Sequence, residues 1–365
     1  LTQAELIPSV IHERKKYWTP VSSLNVVITM RKFLLAVIIL LAILFAISRF
    51  AEVQQMVSTL QQGDPVFILL AIAAMILWYL VLATFFRLIY QNLGMIEKTR
   101  HMALLALAAY FVNIIAPSGG VSGITVFISD ARKRGRSTGR VTVAGALYVL
   151  FDYLGFLVIL TLGLAVLARR NSLHWAEISA SIIIVIGAFG ISTLLYLGAK
   201  SEKILGAVLS WFARLINKVL YPLLHRPYLS EERAHSFACE AAEGMKALKT
   251  NPREWLKIFF LAVLNKAMLL GVFTLCFLAF RIPYTTGILV AGWSIGYLFL
   301  IVSPTPSGIG IVEGVMTLTL NSLGVPLAAA AIIVIAYRGI TFWLPLLGGM
   351  IAFRQVSRAA PAASD

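Results

Sequence analysis

The chain has 365 residues, of which 59% are hydrophobic and only 13% charged, and its mean hydropathy is +0.88. Soluble domains carry about 45–50% apolar and about 25% charged residues, so this composition excludes a soluble protein and leaves an integral membrane protein. The net charge of +15 would suggest nucleic acid in a soluble chain. Here the basic residues stand between apolar runs, where membrane sidedness and anionic lipid head groups account for them, and no nucleic-acid partner is expected.

Residues 1–32 form a basic segment (Arg14, Lys15, Lys16, Arg31, Lys32), expected in the cytoplasm. The apolar run from Phe33 to Ile47 reads as an uncleaved first span, because Ser48, Arg49 and Phe50 offer no small-x-small cleavage site. With the polar outer loop that extends to Asp64 it makes a section 33–64. A second span starts at Pro65 and runs to about Phe86, and Arg87, Lys98 and Arg100 mark the return to the cytoplasm. Residues 102–116 are apolar but too short for a hydrocarbon core that needs about 20 residues. Pro117, Ser118, Gly119 and Gly120 then break the segment, a second short segment covers 121–130, and Arg132, Lys133, Arg134, Arg136 and Arg140 follow. Basic residues at both ends predict a re-entrant hairpin over 102–130 that enters and leaves on one side.

A full span over 141–168 completes a first repeat unit, 65–168, and ends at Arg169 and Arg170 outside. The section 169–199 holds another span, which returns to the cytoplasm. Residues 200–256 are polar. Ile204, Val208, Trp211, Leu215 and Val219 keep helical spacing there and predict a helix on the membrane surface, and Ser230 to Lys249 reads as a second cytoplasmic helix. A span over 257–280 leads to a second interrupted region, 287–324, broken at Ser303, Pro304, Pro306, Ser307, Gly308 and Gly310. A final span, about 326–352, closes a second unit, 257–352, and the tail 353–365 carries Arg354 and Arg358.

This threading puts 25 of the 31 lysines and arginines on the cytoplasmic side, counting Lys257 at the mouth of the 257–280 span. Four fall outside (Arg49, Arg169, Arg170, Arg281), and two lie within spans (Lys266, Arg338). Both termini are then cytoplasmic and the second hairpin enters from outside. The predicted fold is an all-α polytopic membrane protein with about six full transmembrane helices and two re-entrant helical hairpins in an inverted repeat. Its units are related by a two-fold axis in the membrane plane, as in many alternating-access carriers.

Proline and glycine at each break start a new half-helix inside the membrane, whose first N–H groups lack partners and carry the positive end of the helix dipole. Two such ends suit an anion, and for an embedded protein the expected anion is a lipid phosphate. Ser118 and Ser307 are candidates to cap the half-helix or donate to a ligand, while Gly119, Gly120 and Gly308 let a ligand approach the backbone. Arg338 is the strongest substrate candidate because a guanidinium grips phosphate through two hydrogen bonds; the alternative is an internal ion pair with Glu313 or Asp152. Asp152 suits a cationic head group, a coupling proton or a structural role. Lys266 either snorkels or contacts substrate. Glu313 is a second candidate proton carrier, and Asn113 is expected to satisfy backbone groups freed by the first break.

Nothing points to catalysis. No nucleophile elbow, Walker loop, dinucleotide fingerprint or metal-ligand spacing is present, the five histidines are scattered, and Cys239 and Cys276 form no disulfide framework. No cofactor or metal is expected.

The stretch Pro306-Ser307-Gly308-Ile309-Gly310 with Glu313, followed by Tyr337-Arg338-Gly339 and Thr341-Phe342-Trp343-Leu344-Pro345, resembles the C-terminal signature of the lysylphosphatidylglycerol synthase transmembrane-region family, also described as flippase-like. Asn113 to Gly123 and Phe151-Asp152-Tyr153-Leu154-Gly155 resemble its N-terminal signature. The resemblance covers about residues 30–355. It implies re-entrant hairpins in a module that moves lipid between leaflets, aminoacylated phosphatidylglycerol in the best-known members. Those members also carry a soluble aminoacyl-transferase domain. This sequence reads as a stand-alone relative, of the kind associated with hopanoid and polyprenyl-linked lipids. The expected function is an inner-membrane flippase or scramblase for an anionic phospholipid. Two rivals stay open: a non-transporting partner of a lipid-biosynthesis enzyme, and a small-solute carrier.

Overall fold

The computed structural model describes residues 56–115, 122–208 and 251–358, together with Gln54 and scattered positions between 210 and 245. The expected first span at 33–48, the break residues 116–121 and most of the expected helix at 230–249 lie outside the described residues. Among the described residues the chain is helical, without a strand. In chain order the helices are α1 (Pro65–Asn92), α2 (Thr99–Ile115), α3 (Ile124–Lys133), α4 (Thr138–Arg169), α5 (Trp175–Lys200), α6 (Pro252–Ala279), α7 (Thr286–Val302), α8 (Ile311–Ser322) and α9 (Leu327–Arg358).

Five of these, α1, α4, α5, α6 and α9, are long and apolar enough to cross a membrane. The shortest has 26 residues, a rise of about 39 Å against a core of about 30 Å. The 17-residue α2 and α7 rise only about 26 Å, short of that thickness.

The helix starts are set locally. Asp64 accepts from the Val66 N–H at 3.1 Å ahead of Pro65, and Asn251 accepts from the Arg253 N–H at 3.1 Å ahead of Pro252. The first span of each proposed unit therefore begins with the same device, an Asx cap followed by a proline whose missing N–H needs no partner. Ser137 caps α4 and Thr285 caps α7 in the same manner.

The packing partners exchange in pairs. Helices α1 and α6 pack on each other, α2 packs on the C-terminal half of α9, and α7 packs on α4. Within each interrupted region the two arms also pack together, α2 on α3 and α7 on α8, so each is a helical hairpin. Small residues permit the close approaches. A Cβ at Gly155 would stand 2.7 Å from the Ala262 carbonyl carbon of α6, and one at Gly296 would stand 2.7 Å from Met316 Sδ of α8.

Three expectations need correction. Part of the loop expected at 49–64 is helical, over residues 56–62. The last span runs on to Arg358 and contains a π-helical turn, Gly339–Trp343. The half-helix after the second break starts at Ile311 behind Gly310, so Ser307 is not its cap. Ser307 lies in the short 3-10 turn Pro306–Gly308 with φ at 50°, followed by Gly308 at 69° and Gly310 at 81°. Three left-handed residues within four positions reverse the chain between α7 and α8.

Candidate functional site

Two ion pairs join helices of the bundle, one of them fully buried. Lys266 of α6 is 1% exposed, and its Nζ donates to Asp152 Oδ1 of α4 and to the Tyr297 hydroxyl of α7, both at 2.5 Å. The ammonium also sits 4.4 Å from the centre of the Tyr297 ring, which stacks on Trp293. An isolated ammonium in an apolar interior is costly, and the carboxylate with its oriented hydroxyl offsets that cost. The expectation that Lys266 snorkels is therefore corrected: its nitrogen is satisfied within the bundle.

In the second pair, Arg338 Nε of α9 donates to Glu313 Oε1 of α8 at 2.6 Å, and its Nη2 donates to the Ser307 carbonyl at 2.8 Å. The internal pairing with Glu313 was one of the two sequence alternatives. Glu313 Oε2 accepts from the Gly310 N–H at 2.7 Å, so this carboxylate both caps α8 and compensates the positive end of its dipole. Arg338 in turn pins the left-handed Ser307 through its backbone. The Arg338 guanidinium lies 5.1 Å from the Phe342 ring centre, one turn onward.

The first break shows matching logic with a different side chain. Asn113 Oδ1 accepts from the Gly123 N–H at 2.6 Å and from the Ser122 hydroxyl at 2.7 Å. It satisfies the backbone where α3 begins, as its position before the break predicted. Ser118, Gly119 and Gly120 lie outside the described residues.

Between these groups is a cavity of about 130 Å³ whose lining includes Tyr110, Asn113, Asp152, Ser303, Ser307 and Arg338. The structure thus brings Asn113, Asp152, Ser307 and Arg338 to one space, and sets Lys266, Glu313 and Gly308 outside its lining. The two charged lining groups are each backed by a counterion, so these four side chains sum to no net formal charge. Among the described residues Asp152 Oδ2 and Arg338 Nη1 make no hydrogen bond, so each of the two charged lining residues keeps one edge for a ligand.

Sequence reasoning missed the tyrosines. Tyr110, Tyr148, Tyr153 and Tyr297 all line the cavity. A signal was present: Tyr148 and Asp152 are four apart on α4, and Tyr110 and Asn113 are three apart on α2, so each pair shares a helix face. Tyr110 further donates from its hydroxyl to the Thr341 carbonyl of α9 at 3.2 Å.

At the foot of the first hairpin, outside the spans, Asp130 bonds to His101 Nε2 at 2.9 Å and to Arg134 Nε at 3.2 Å. Burial pushes this carboxyl up, but the hydrogen bonds and charges of His101 and Arg134 outweigh it and hold the pKa below its ordinary value. Arg136 pairs with Glu97 close by.

These features lie within the reach of two comparisons. UPF0104 membrane protein MJ1595 of Methanocaldococcus jannaschii is 23% identical to this chain over 338 residues, which is 91% of this chain and 97% of that protein. A family model described as lysylphosphatidylglycerol synthase TM region matches residues 33–349 and so takes in both hairpins and both ion pairs. With most of its length matched and five membrane-length apolar helices, the chain is a multi-pass membrane protein that belongs to the lysylphosphatidylglycerol synthase TM region family.

Proposed function

We propose that the chain translocates phospholipid between the leaflets of a bacterial or archaeal cytoplasmic membrane, as a flippase or scramblase and not as an enzyme. The observation that carries this reading is the polar cavity at the two helix breaks, enclosed by helices that are otherwise apolar. Ionisable groups inside membrane segments usually mark a substrate or ion path. The cavity is smaller than the roughly 300–1,000 Å³ of typical small-molecule sites. That suits a head group whose acyl chains remain in the bilayer. The phosphate would meet Arg338 Nη1 and the hydroxyls of Tyr148 and Tyr297, while Nε and Nη2 stay committed to Glu313 and Ser307.

On this reading both hairpins are re-entrant, from opposite faces, and both termini are cytoplasmic. The basic residues that follow α3 and the exchanged packing pairs support an inverted repeat. So do the two Asx-Pro helix starts.

The test is reconstitution into vesicles that carry fluorescent phospholipid, with a membrane-impermeant quencher added outside. The expected result is quenching of both leaflets with protein and of the outer leaflet alone without it. Arg338→Gln, checked for folding by gel filtration, is expected to slow exchange strongly. Absence of exchange by the wild type, with a lipid-modifying enzyme co-purifying, would replace this reading with that of a non-transporting partner. Exchange unaffected by Arg338→Gln would remove the site assignment.

A further inference from the structure

The cavity lies between the two hairpins, and α9 touches both. Its N-terminal half, Leu327–Arg338, packs on α8 and α6, whereas its C-terminal half, Leu344–Arg358, packs on α2. The second attachment is close. A Cβ at Gly349 would stand 2.8 Å from the Leu107 carbonyl oxygen and 2.7 Å from Phe111 Cβ. Lys133 of α3 donates to the carbonyls of Val356 at 3.1 Å and Ser357 at 3.0 Å, near the end of α9. The C-terminal half is thereby bound to both arms of the first hairpin.

The two halves meet at the π turn Gly339–Trp343 and Pro345. Proline has no N–H, so the Thr341 carbonyl lacks its usual partner four residues on. The Tyr110 hydroxyl of α2 takes that carbonyl instead. Sharp bends in helices concentrate at prolines and π turns, where the hydrogen-bond ladder is already interrupted. On the opposite side Met56 lies against Gly339, where an added Cβ would come within 2.5 Å of its Cγ.

We infer that the joint from Gly339 to Pro345 is the hinge of the transport cycle. The first hairpin and the C-terminal half of α9 swing as one body, while the second hairpin stays with the N-terminal half and α6. The wall that carries Tyr110 and Asn113 then parts from the wall that carries Ser303, Ser307 and Arg338. The translocation reading supplies what the motion accomplishes; the divided packing of α9 is the observation behind it, and α1, packed on both α2 and α6, and α4, packed on α3, α6 and α7, are the elements the swing slides past.

The experiment uses the full chain with Cys239→Ser and Cys276→Ala, which removes both native thiols. One cysteine pair lies within the moving body, Leu107→Cys with Gly348→Cys, where a Cβ at Gly348 is 3.5 Å from Leu107 Cδ2. The other spans the cavity, Ile114→Cys with Ile301→Cys, both in its lining. Each pair is bridged by a reducible thiol cross-linker, and exchange of fluorescent phospholipid is followed in vesicles. Bridging across the cavity is expected to reduce exchange to that of protein-free vesicles, reversibly. Bridging within the body is expected to leave it close to the unbridged rate. In parallel, spin labels at Arg354→Cys and Leu318→Cys, both exposed, report the distance between the two bodies. Two distances are expected, collapsing to one under the cross-cavity bridge, with Pro345→Ala shifting their ratio. A single distance in the unbridged protein, or an intrabody bridge that stops exchange as fully as the other, would overturn the hinge. If no lipid moves in any sample while two distances persist, the hinge stands and the translocation reading fails.

Discussion

The two ion pairs beside the cavity differ in what they join and how wet they are. Asp152–Lys266 ties α4 of the first unit to α6 of the second, with Tyr297 as a third anchor, and its side chains are 10% and 1% exposed. Arg338–Glu313 stays within the second unit, and the Glu313 side chain is 33% exposed. A fully buried pair holds two helices in register, and loss of one partner strands a charge in an apolar interior. A pair with one wet end is screened and contributes less by charge alone. Its worth here is geometric, because the same carboxylate caps α8 and the same guanidinium pins Ser307. The first pair is thus read as a strut between units and the second as the element that shapes the break.

The sharpest way to break that distinction is a double-mutant cycle on the strut. Lys266→Met and Asp152→Asn alone are each expected to destabilise by about 3–5 kcal/mol, the usual penalty for stranding a buried charge. The double variant is expected to recover most of this loss, because it removes both charges and keeps the volume. Thermal unfolding in detergent reads the cycle. A double variant whose loss equals the sum of the two single losses would show that the pair is not coupled, and the strut reading would fall. The same cycle on the second pair is expected to give less. Glu313→Gln keeps an oxygen that can accept from Gly310 and gives up charge at a site one third exposed, a loss of about 1 kcal/mol. Its effect on lipid exchange is expected to exceed its effect on unfolding, because Arg338 is freed to move away from Ser307. A stability loss as large as that of Lys266→Met would erase the difference between the pairs.

How much of this was legible in the sequence follows from which interactions are local. The long helices were readable because apolar length and flanking charge are local properties: α4 was expected at 141–168 and spans Thr138–Arg169, and α6 was expected at 257–280 and spans Pro252–Ala279. The breaks were readable because proline and glycine act within one turn. Asn113 was expected to satisfy freed backbone groups, and its Oδ1 accepts from the Gly123 N–H ten residues on, across the break. The Asp152–Lys266 pair was not readable, because 114 residues separate partners that only tertiary packing brings together. The π turn was missed for another reason. Gly339 and Pro345 were both quoted as part of a motif, yet the carbonyl that Pro345 leaves open finds its donor in Tyr110, 231 residues away. The start of α8 at Ile311 follows directly on the break, and Glu313, not Ser307, supplies its cap, because three left-handed residues carry Ser307 away from the helix start.

The smallest expected effect extends the comparison to a third cluster, outside the spans. Asp130 resembles Glu313 in being held by an arginine, here one whose own side chain is 35% exposed, but it is itself buried and carries no helix break. Its carboxyl lies below the ordinary value of 3.8 in the folded protein, because His101 and Arg134 outweigh the opposing effect of burial. A folded value below the unfolded one means that the stabilisation is complete above the unfolded pKa and is lost as pH falls through the folded pKa. At pH 7 the contribution is therefore present in full, and the loss is confined to pH values below about 4. Asp130→Asn is expected to lower stability slightly at pH 7 and to converge with the wild type as both are taken toward pH 3, read by unfolding in detergent at matched salt. Because Arg134, the cationic partner of Asp130, has a side chain 35% exposed, raising the salt concentration is expected to shrink the difference further, whereas salt should leave the Asp152–Lys266 cycle unchanged. Equal salt dependence of the two would mean that water reaches the strut, and the contrast between a dry pair and a wet one would have to be withdrawn.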